Sequence, residues 1–267
     1  LARYYLLVFN MNKITKKKIL ILSIISITLI YMFYYLFETN EYFELSMKTR
    51  TLKNDGFCVL YDPFYANNTI DAPCFKLIFD VMKVLPPNYV FIDYIYKIKN
   101  GSLSTFHRDV TSSQKIFKTK HPIYTLILYK YDGYLLSLCP RSNKTYPFVW
   151  SQIVNIEGKA GTAFLFDSDL LHAGSLNNCE TRNLIQYKIC HKEDLPLLKH
   201  LDKVRMEKIS KCNNSYSQAI TRKLSYFFEM PINYLFYPLM IKRENENSIT
   251  GFIQSFIPIS FYNNSSV

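Results

Sequence analysis

The sequence has only 7 glycines in 267 residues, which excludes a collagen-like repeat, and its 49% hydrophobic content excludes a disordered chain. The six cysteines (Cys58, Cys74, Cys139, Cys179, Cys190, Cys212) include no C-x-x-C pair, so zinc-knuckle and thioredoxin patterns are excluded. There is no internal repeat and no G-x-G-x-x-G, and strands do not alternate with helices, so a dinucleotide fold is excluded as well. From residue 38 onward 27 bases and 21 acids are spread without a block of five like charges. Without a dense basic stripe or a reading motif, no nucleic-acid partner is expected.

Of the charge excess, +11 overall, +5 is concentrated at the front. Residues 1–18 carry five bases (Arg3, Lys13, Lys16, Lys17, Lys18) and no acid, and residues 19–37 carry no charge at all. As a helix of ~1.5 Å per residue that run reaches about 28 Å, close to a bilayer's hydrocarbon thickness. It is too long for the apolar part of a secretory signal and lacks a small-x-small cleavage site, so a signal-anchor is expected. Lysines before the span and Glu38, Glu41 and Glu44 after it place residues 1–18 in the cytosol. The rest would be lumenal or external, a single-pass type II arrangement in a host endomembrane or a viral membrane, with the lipid bilayer as a partner. Sequons at Asn67, Asn100, Asn143, Asn213, Asn263 and Asn264 permit glycosylation there.

Residues 38–55 read as a linker. Beyond them, short β-branched and aromatic runs at 56–61, 89–99, 123–130, 134–138, 153–157, 162–166 and 184–190 are broken by turn residues. Many short strands in one stretch predict a mainly β, jelly-roll (cupin-like) domain over 56–210 with flanking helices. A helix is expected after Pro73, with Phe75, Ile78, Phe79, Met82 and Leu85 as its core stripe, and another over 193–209. Residues 211–267 read as a C-terminal helical, aromatic extension of no assigned role.

The chemistry-bearing residues are few. His107 and Asp109 stand at i and i+2, so an extended segment projects both side chains from one face. A facial metal site needs two imidazoles and one carboxylate, with open positions opposite. His172, in L-F-D-S-D-L-L-H-A-G just beyond the strand 162–166, supplies the second imidazole from elsewhere in the fold. Ten residues on, Arg182 precedes the strand 184–190, where a guanidinium can pair bidentately with an organic carboxylate. Thr125 and Gln186 are weaker candidates for a co-substrate pocket. His121, His191 and His200 read as surface or helix-end residues, and Asp167 and Asp169 as turn residues. H-R-D at 107–109 is not a kinase catalytic loop, because the spaced Asn, D-F-G and glycine-rich loop are missing.

H-R-D at 107–109, the distal His172 and Arg182 together resemble the Fe(II)/2-oxoglutarate-dependent oxygenases. Y-T-L-I-L-Y-K-Y-D-G (124–133), L-C-P-R-S-N-K (138–144) and G-T-A-F-L-F-D (161–167) are most similar to the phytanoyl-CoA dioxygenase branch, in a style shared with oxygenases of large DNA viruses. The resemblance spans 89–194 and departs from the family at Arg141 and Asn143, which stand where glycine and histidine are usual. It implies a double-stranded β-helix, Fe(II) held by His107, Asp109 and His172, and 2-oxoglutarate with its far carboxylate on Arg182. Related halogenases lack the carboxylate ligand, so Asp109 implies hydroxylation of an organic substrate by dioxygen. The alternatives are a non-catalytic jelly-roll module that binds a metal or ligand, and a membrane-tethered structural protein of a virion.

Overall fold

The computed structural model describes residues 15–30, 37–67, 72–101, 105–145, 149, 151–176, 181–210 and 216–236. The chain divides into two compact units, 1–38 and 39–267. In the first, residues 15–30 are helical and exposed throughout. Among the described residues no helix is long and apolar enough to cross a membrane. The expected span 19–37 is helical as far as 30, and 31–36 lie outside the described residues.

The second unit is mainly β with flanking helices. Four strands, β1 (Glu38–Tyr42), β7 (Ile153–Gly158), β6 (Gly133–Leu138) and β9 (His172–Gly174), form one sheet in that order. The larger sheet runs β11 (Val204–Ser210), β4 (Tyr94–Asn100), β10 (Asn183–His191), β5 (Tyr124–Tyr129), β8 (Thr162–Asp167), β2 (Phe57–Tyr61), with β3 (Tyr89–Phe91) also paired to β10. Its described pairings are antiparallel except the parallel β4–β11 contact.

The strand sequences explain the layering. Along β5 successive side chains point to opposite faces. Ile127 and Tyr129 join Leu135, Leu138, Ile156, Phe164 and Phe166 in one core cluster drawn from both sheets. Leu126 and Leu128 join Leu165, Ile185 and Tyr187 in a second cluster with Leu77 and Val81 of helix α2 (Phe75–Val84). With both faces covered, these strands read as continuous apolar runs rather than alternating ones.

Three expectations need correction. The stretch 38–55 is not a linker: β1 joins the small sheet, and α1 (Phe43–Thr49) and a turn of helix at Leu52–Asp55 follow it. Phe43, 3% exposed, is the reason, since it packs into the inter-sheet core. Helix α2 buries Leu77 and Val81, while Phe75 (83%) and Phe79 (52%) lie outside, stacked on each other. The expected helix over 193–209 is a 3-10 segment, Lys192–Leu201, followed by β11, because residues 204–210 find a ready edge in β4. Four cysteines, Cys58, Cys74, Cys139 and Cys190, are free thiols, and Cys179 and Cys212 lie outside the described residues.

Gly161 fixes the entry to β8. Its φ is +95°, its N–H donates to Tyr129 O at 2.8 Å, and a Cβ there would collide with the Asp62 carbonyl. Gly161→Ala is expected to lower unfolding free energy by more than about 2 kcal/mol, since backbone must move as well as strain. A urea midpoint within error of wild type would refute that.

Candidate metal centre

The H-R-D segment is extended and strand-like at its start. His107 N–H donates to His172 O at 2.9 Å and His172 N–H returns to His107 O at 3.0 Å, a reciprocal bridge between the segment and β9. Asp109 N–H donates to Ser168 O at 2.9 Å, which ties down the other end. The alternation anticipated from the sequence follows: His107 and Asp109 share one side, and Arg108 goes to the other.

His107, Asp109 and His172 converge, with one ligand atom from each lying within 4.8 Å of the others. His107 Nε2 is 3.9 Å and His172 Nε2 is 3.7 Å from the same oxygen, Asp109 Oδ1. Each imidazole places Nδ1 at 2.9 Å from a backbone carbonyl two residues earlier, Thr105 O and Leu170 O. An Nδ1–H donating there leaves the Nε2 lone pair free, which is how second-shell carbonyls orient metal-binding histidines. The rings are 4.4 Å apart and tilted 51°, so their lone pairs can converge.

The other carboxylate oxygen, Asp109 Oδ2, is fully engaged. It accepts from Lys188 Nζ at 2.7 Å, from Thr125 Oγ1 and from Gln186 Nε2 at 3.3 Å. Lys188 donates again to Ser112 Oγ and Thr125 Oγ1, each at 2.8 Å, so its three N–H donors have three acceptors. Oδ2 is thus occupied and Oδ1 is the oxygen offered to a cation. Burial alone would raise the Asp109 carboxyl, but the Lys188 ammonium and the two imidazoles outweigh it and hold it well below its usual range. Burial, assisted by His107, lowers His172 to about 3, and burial also lowers His107. Both rings are neutral near pH 7, as ligation requires.

Arg182, 1% exposed, stands just before β10, at even spacing from Gln186 and Lys188. Its Nε donates to Tyr131 Oη at 3.0 Å, and Nη2 donates to Leu135 O (3.1 Å) and Ser175 O (3.2 Å). Nη1 is buried with no partner among the described residues. An unpaired buried guanidinium nitrogen costs roughly 1–3 kcal/mol and calls for an acceptor. A carboxylate of a small organic acid fits that requirement, and the donor set His, Asp, His fits a divalent iron-type ion.

The remaining sequence candidates fall elsewhere. Thr125 and Gln186, offered as co-substrate residues, both hydrogen-bond Asp109 Oδ2. Asp167 accepts from Asp169 N–H (2.9 Å) and Asn143 Nδ2 (2.7 Å), a turn role. Arg141 has a φ of +67°, in the left-handed region that glycine favours. His191 is buried and caps the start of the 3-10 segment, the helix-end role expected of it, and His200 bonds Thr111 O at 2.7 Å. A second cluster, His121, His191 and Glu193, also has ligand atoms within 4.8 Å. Its rings are 3.8 Å apart and 30° from parallel. His121 Nδ1 lies 3.0 Å from Asp194 Oδ2, and His191 Nδ1 accepts the Glu193 N–H at 3.3 Å, which accounts for the pair without a metal.

Lys188 is the site residue that motif reasoning missed. The available signal was a lysine two residues from Gln186 inside an otherwise apolar strand.

No family model matches the chain, and no curated protein matches it in sequence. Among solved structures, the non-heme alpha ketoglutarate dependent epimerase SnoN from nogalamycin biosynthesis is 12% identical over 56% of this chain and 82% of its own, with a TM-score of 0.41. HygX from Streptomyces hygroscopicus with iron bound is 13% identical over 53% of this chain and 84% of its own, TM-score 0.40. The same protein with nickel and 2-oxoglutarate bound gives 0.37 over the same shares at the same identity. At this identity and similarity none of them assigns the chain a family.

The buried histidines set a pH dependence. The unfolded chain protonates His172 below about pH 6.5, whereas the folded protein resists until about 3. The unfolded state therefore binds more protons in that window, and stability falls as pH falls from about 6.5 toward 3. Urea midpoints of metal-free protein should show this slope, and His172→Gln should flatten it; an equal slope in the variant would remove His172 as the cause.

Proposed function

We propose that the chain is an Fe(II)/2-oxoglutarate-dependent dioxygenase that hydroxylates an organic substrate. The observation that carries the reading is the convergence of His107 Nε2, Asp109 Oδ1 and His172 Nε2 in one metal-sized cluster. The sequence motifs favour a double-stranded β-helix of the phytanoyl-CoA dioxygenase-like branch, and Asp109 favours hydroxylation over halogenation. Bound iron and 2-oxoglutarate would supply dioxygen activation, with succinate and carbon dioxide as co-products.

This chain's own residues would divide the work as follows. His107 and His172 donate neutral nitrogens whose orientation is set by the Thr105 and Leu170 carbonyls. Asp109 supplies one charged oxygen, and Lys188, Thr125 and Gln186 keep the other from joining it. Arg182 binds the far carboxylate of 2-oxoglutarate through Nη1, its remaining unsatisfied nitrogen.

Anaerobic titration of Fe(II) and 2-oxoglutarate into the full chain should give a weak visible charge-transfer band. His172→Ala should abolish it. Arg182→Ala should keep the iron but bind 2-oxoglutarate at least about tenfold more weakly, about 1.4 kcal/mol. A folded, iron-loaded wild type with no band would refute the assignment and favour a non-catalytic binding module.

We also propose that residues 19–37 anchor the protein in a bilayer with 1–18 cytosolic and the β domain on the far side. The charge-free run of 19–37, with bases before it and acids after, supports this. Carbonate-washed membranes should retain the full chain, and deletion of 19–37 should release it. Extraction of the full chain by carbonate would end the proposal.

A further inference from the structure

The C-terminal segment that sequence reading left without a role reaches the metal centre from behind. Helix α3 (Tyr216–Phe227) continues through further helical turns to Phe236. Ser225, Glu229 and Asn233 recur every four residues along it, and all three are buried. They converge on one place, the backbone and side chain that flank His107.

Ser225 Oγ accepts the Phe106 N–H at 2.7 Å, and Asn233 Oδ1 accepts the Arg108 N–H at 2.9 Å. The N–H between them, that of His107, turns the opposite way to His172 O. Successive N–H groups of an extended chain point to opposite edges. The ligand segment is therefore hung between β9 on one edge and the C-terminal helix on the other. Glu229 adds the third tie: its two oxygens take Arg108 Nε at 2.9 Å and Nη2 at 3.0 Å. Arg108 Nη1 donates to Ser142 O at 2.8 Å and to Asp169 O. Arg108 and Glu229 are 1% and 3% exposed at their side chains, so water cannot substitute for either partner.

Arg108 lies between the two ligands in sequence, so fixing its backbone and guanidinium fixes how His107 and Asp109 face one another. We propose that Glu229, acting through Arg108, is a positioning residue of the metal centre, and that the 216–236 segment belongs to that centre. The inference rests on the metal-binding reading above.

The test is Co(II) binding to the full-length, metal-free protein, followed by its ligand-field spectrum and affinity. Glu229→Gln should weaken Co(II) by tenfold or more and alter the band shape. The control is Leu77→Ala, which empties the outer core against α2 and should lower Tm with little change in Co(II) affinity or spectrum. If Glu229→Gln fails to fold, Asn233→Ala, which removes the acceptor for the Arg108 N–H and the Nδ2 donation to Glu229 O but leaves the Glu229 carboxylate on Arg108, should weaken Co(II) severalfold.

Wild-type affinity and spectrum in the folded Glu229 variant, or in Asn233→Ala where that serves, would overturn the positioning role. So would an equal loss in Leu77→Ala, which would make the effect one of general stability. Wild type that binds no Co(II) would instead bring down the metal-centre reading, and this inference with it.

Discussion

The carboxylate of Asp109 is the constraint around which the candidate site is arranged. A buried carboxylate is tolerated only if paired and hydrogen-bonded. Here the two oxygens are separated by task. Lys188, Thr125 and Gln186 take Oδ2, and Oδ1 is left between two neutral imidazoles. Lys188 therefore stabilises the charge before any cation arrives, while leaving one oxygen to meet it. Its own cost of burial is offset because every ammonium proton has an acceptor.

That arrangement depends on β10 more than on any other element. Residues 184, 186 and 188 share its inward face at two-residue spacing, and Arg182 stands just before its first residue. The strand consequently carries a core leucine and both the amide and the ammonium that hold Asp109, with the carboxylate-binding candidate at its entry. Its opposite face, with Ile185, Tyr187 and Ile189, seals the outer core over α2. Pairing with β4 and β5 fixes the register, so a slip by one residue would turn both cations into the apolar cluster and Tyr187 toward the metal ligands.

The strands were legible because local composition decides them: the runs expected between 56 and 190 are found as strands with ends shifted by a residue or so, except that 89–99 divides into β3 and β4. His107, Asp109 and His172 were legible because ligand chemistry restricts residue type, and the i, i+2 spacing restricts geometry. Their partners were not. Lys188 lies 79 residues from Asp109, and Glu229 lies 121 from Arg108. Nothing local marks Glu229 as part of the site, and the one local mark on Lys188 is its place among the apolar residues of its strand. The same limit explains β11, whose residues 204–210 have an apolar pattern compatible with helix until the open edge of β4 gives them a parallel partner.

Arg108 shows why such partners accumulate behind the ligands. An H-x-D segment that presents its first and third side chains to a metal must send the middle one the other way. In a chain with sheet and helix on that side, the middle residue enters the protein rather than water. An arginine there brings five donors and a permanent charge. Burial then demands an acid and several carbonyls, which Glu229, Ser142 and Asp169 provide. The geometry that a metal would require of this segment thus brings a second polar cluster beneath it, and the helical segment 216–236 is the element that completes that cluster.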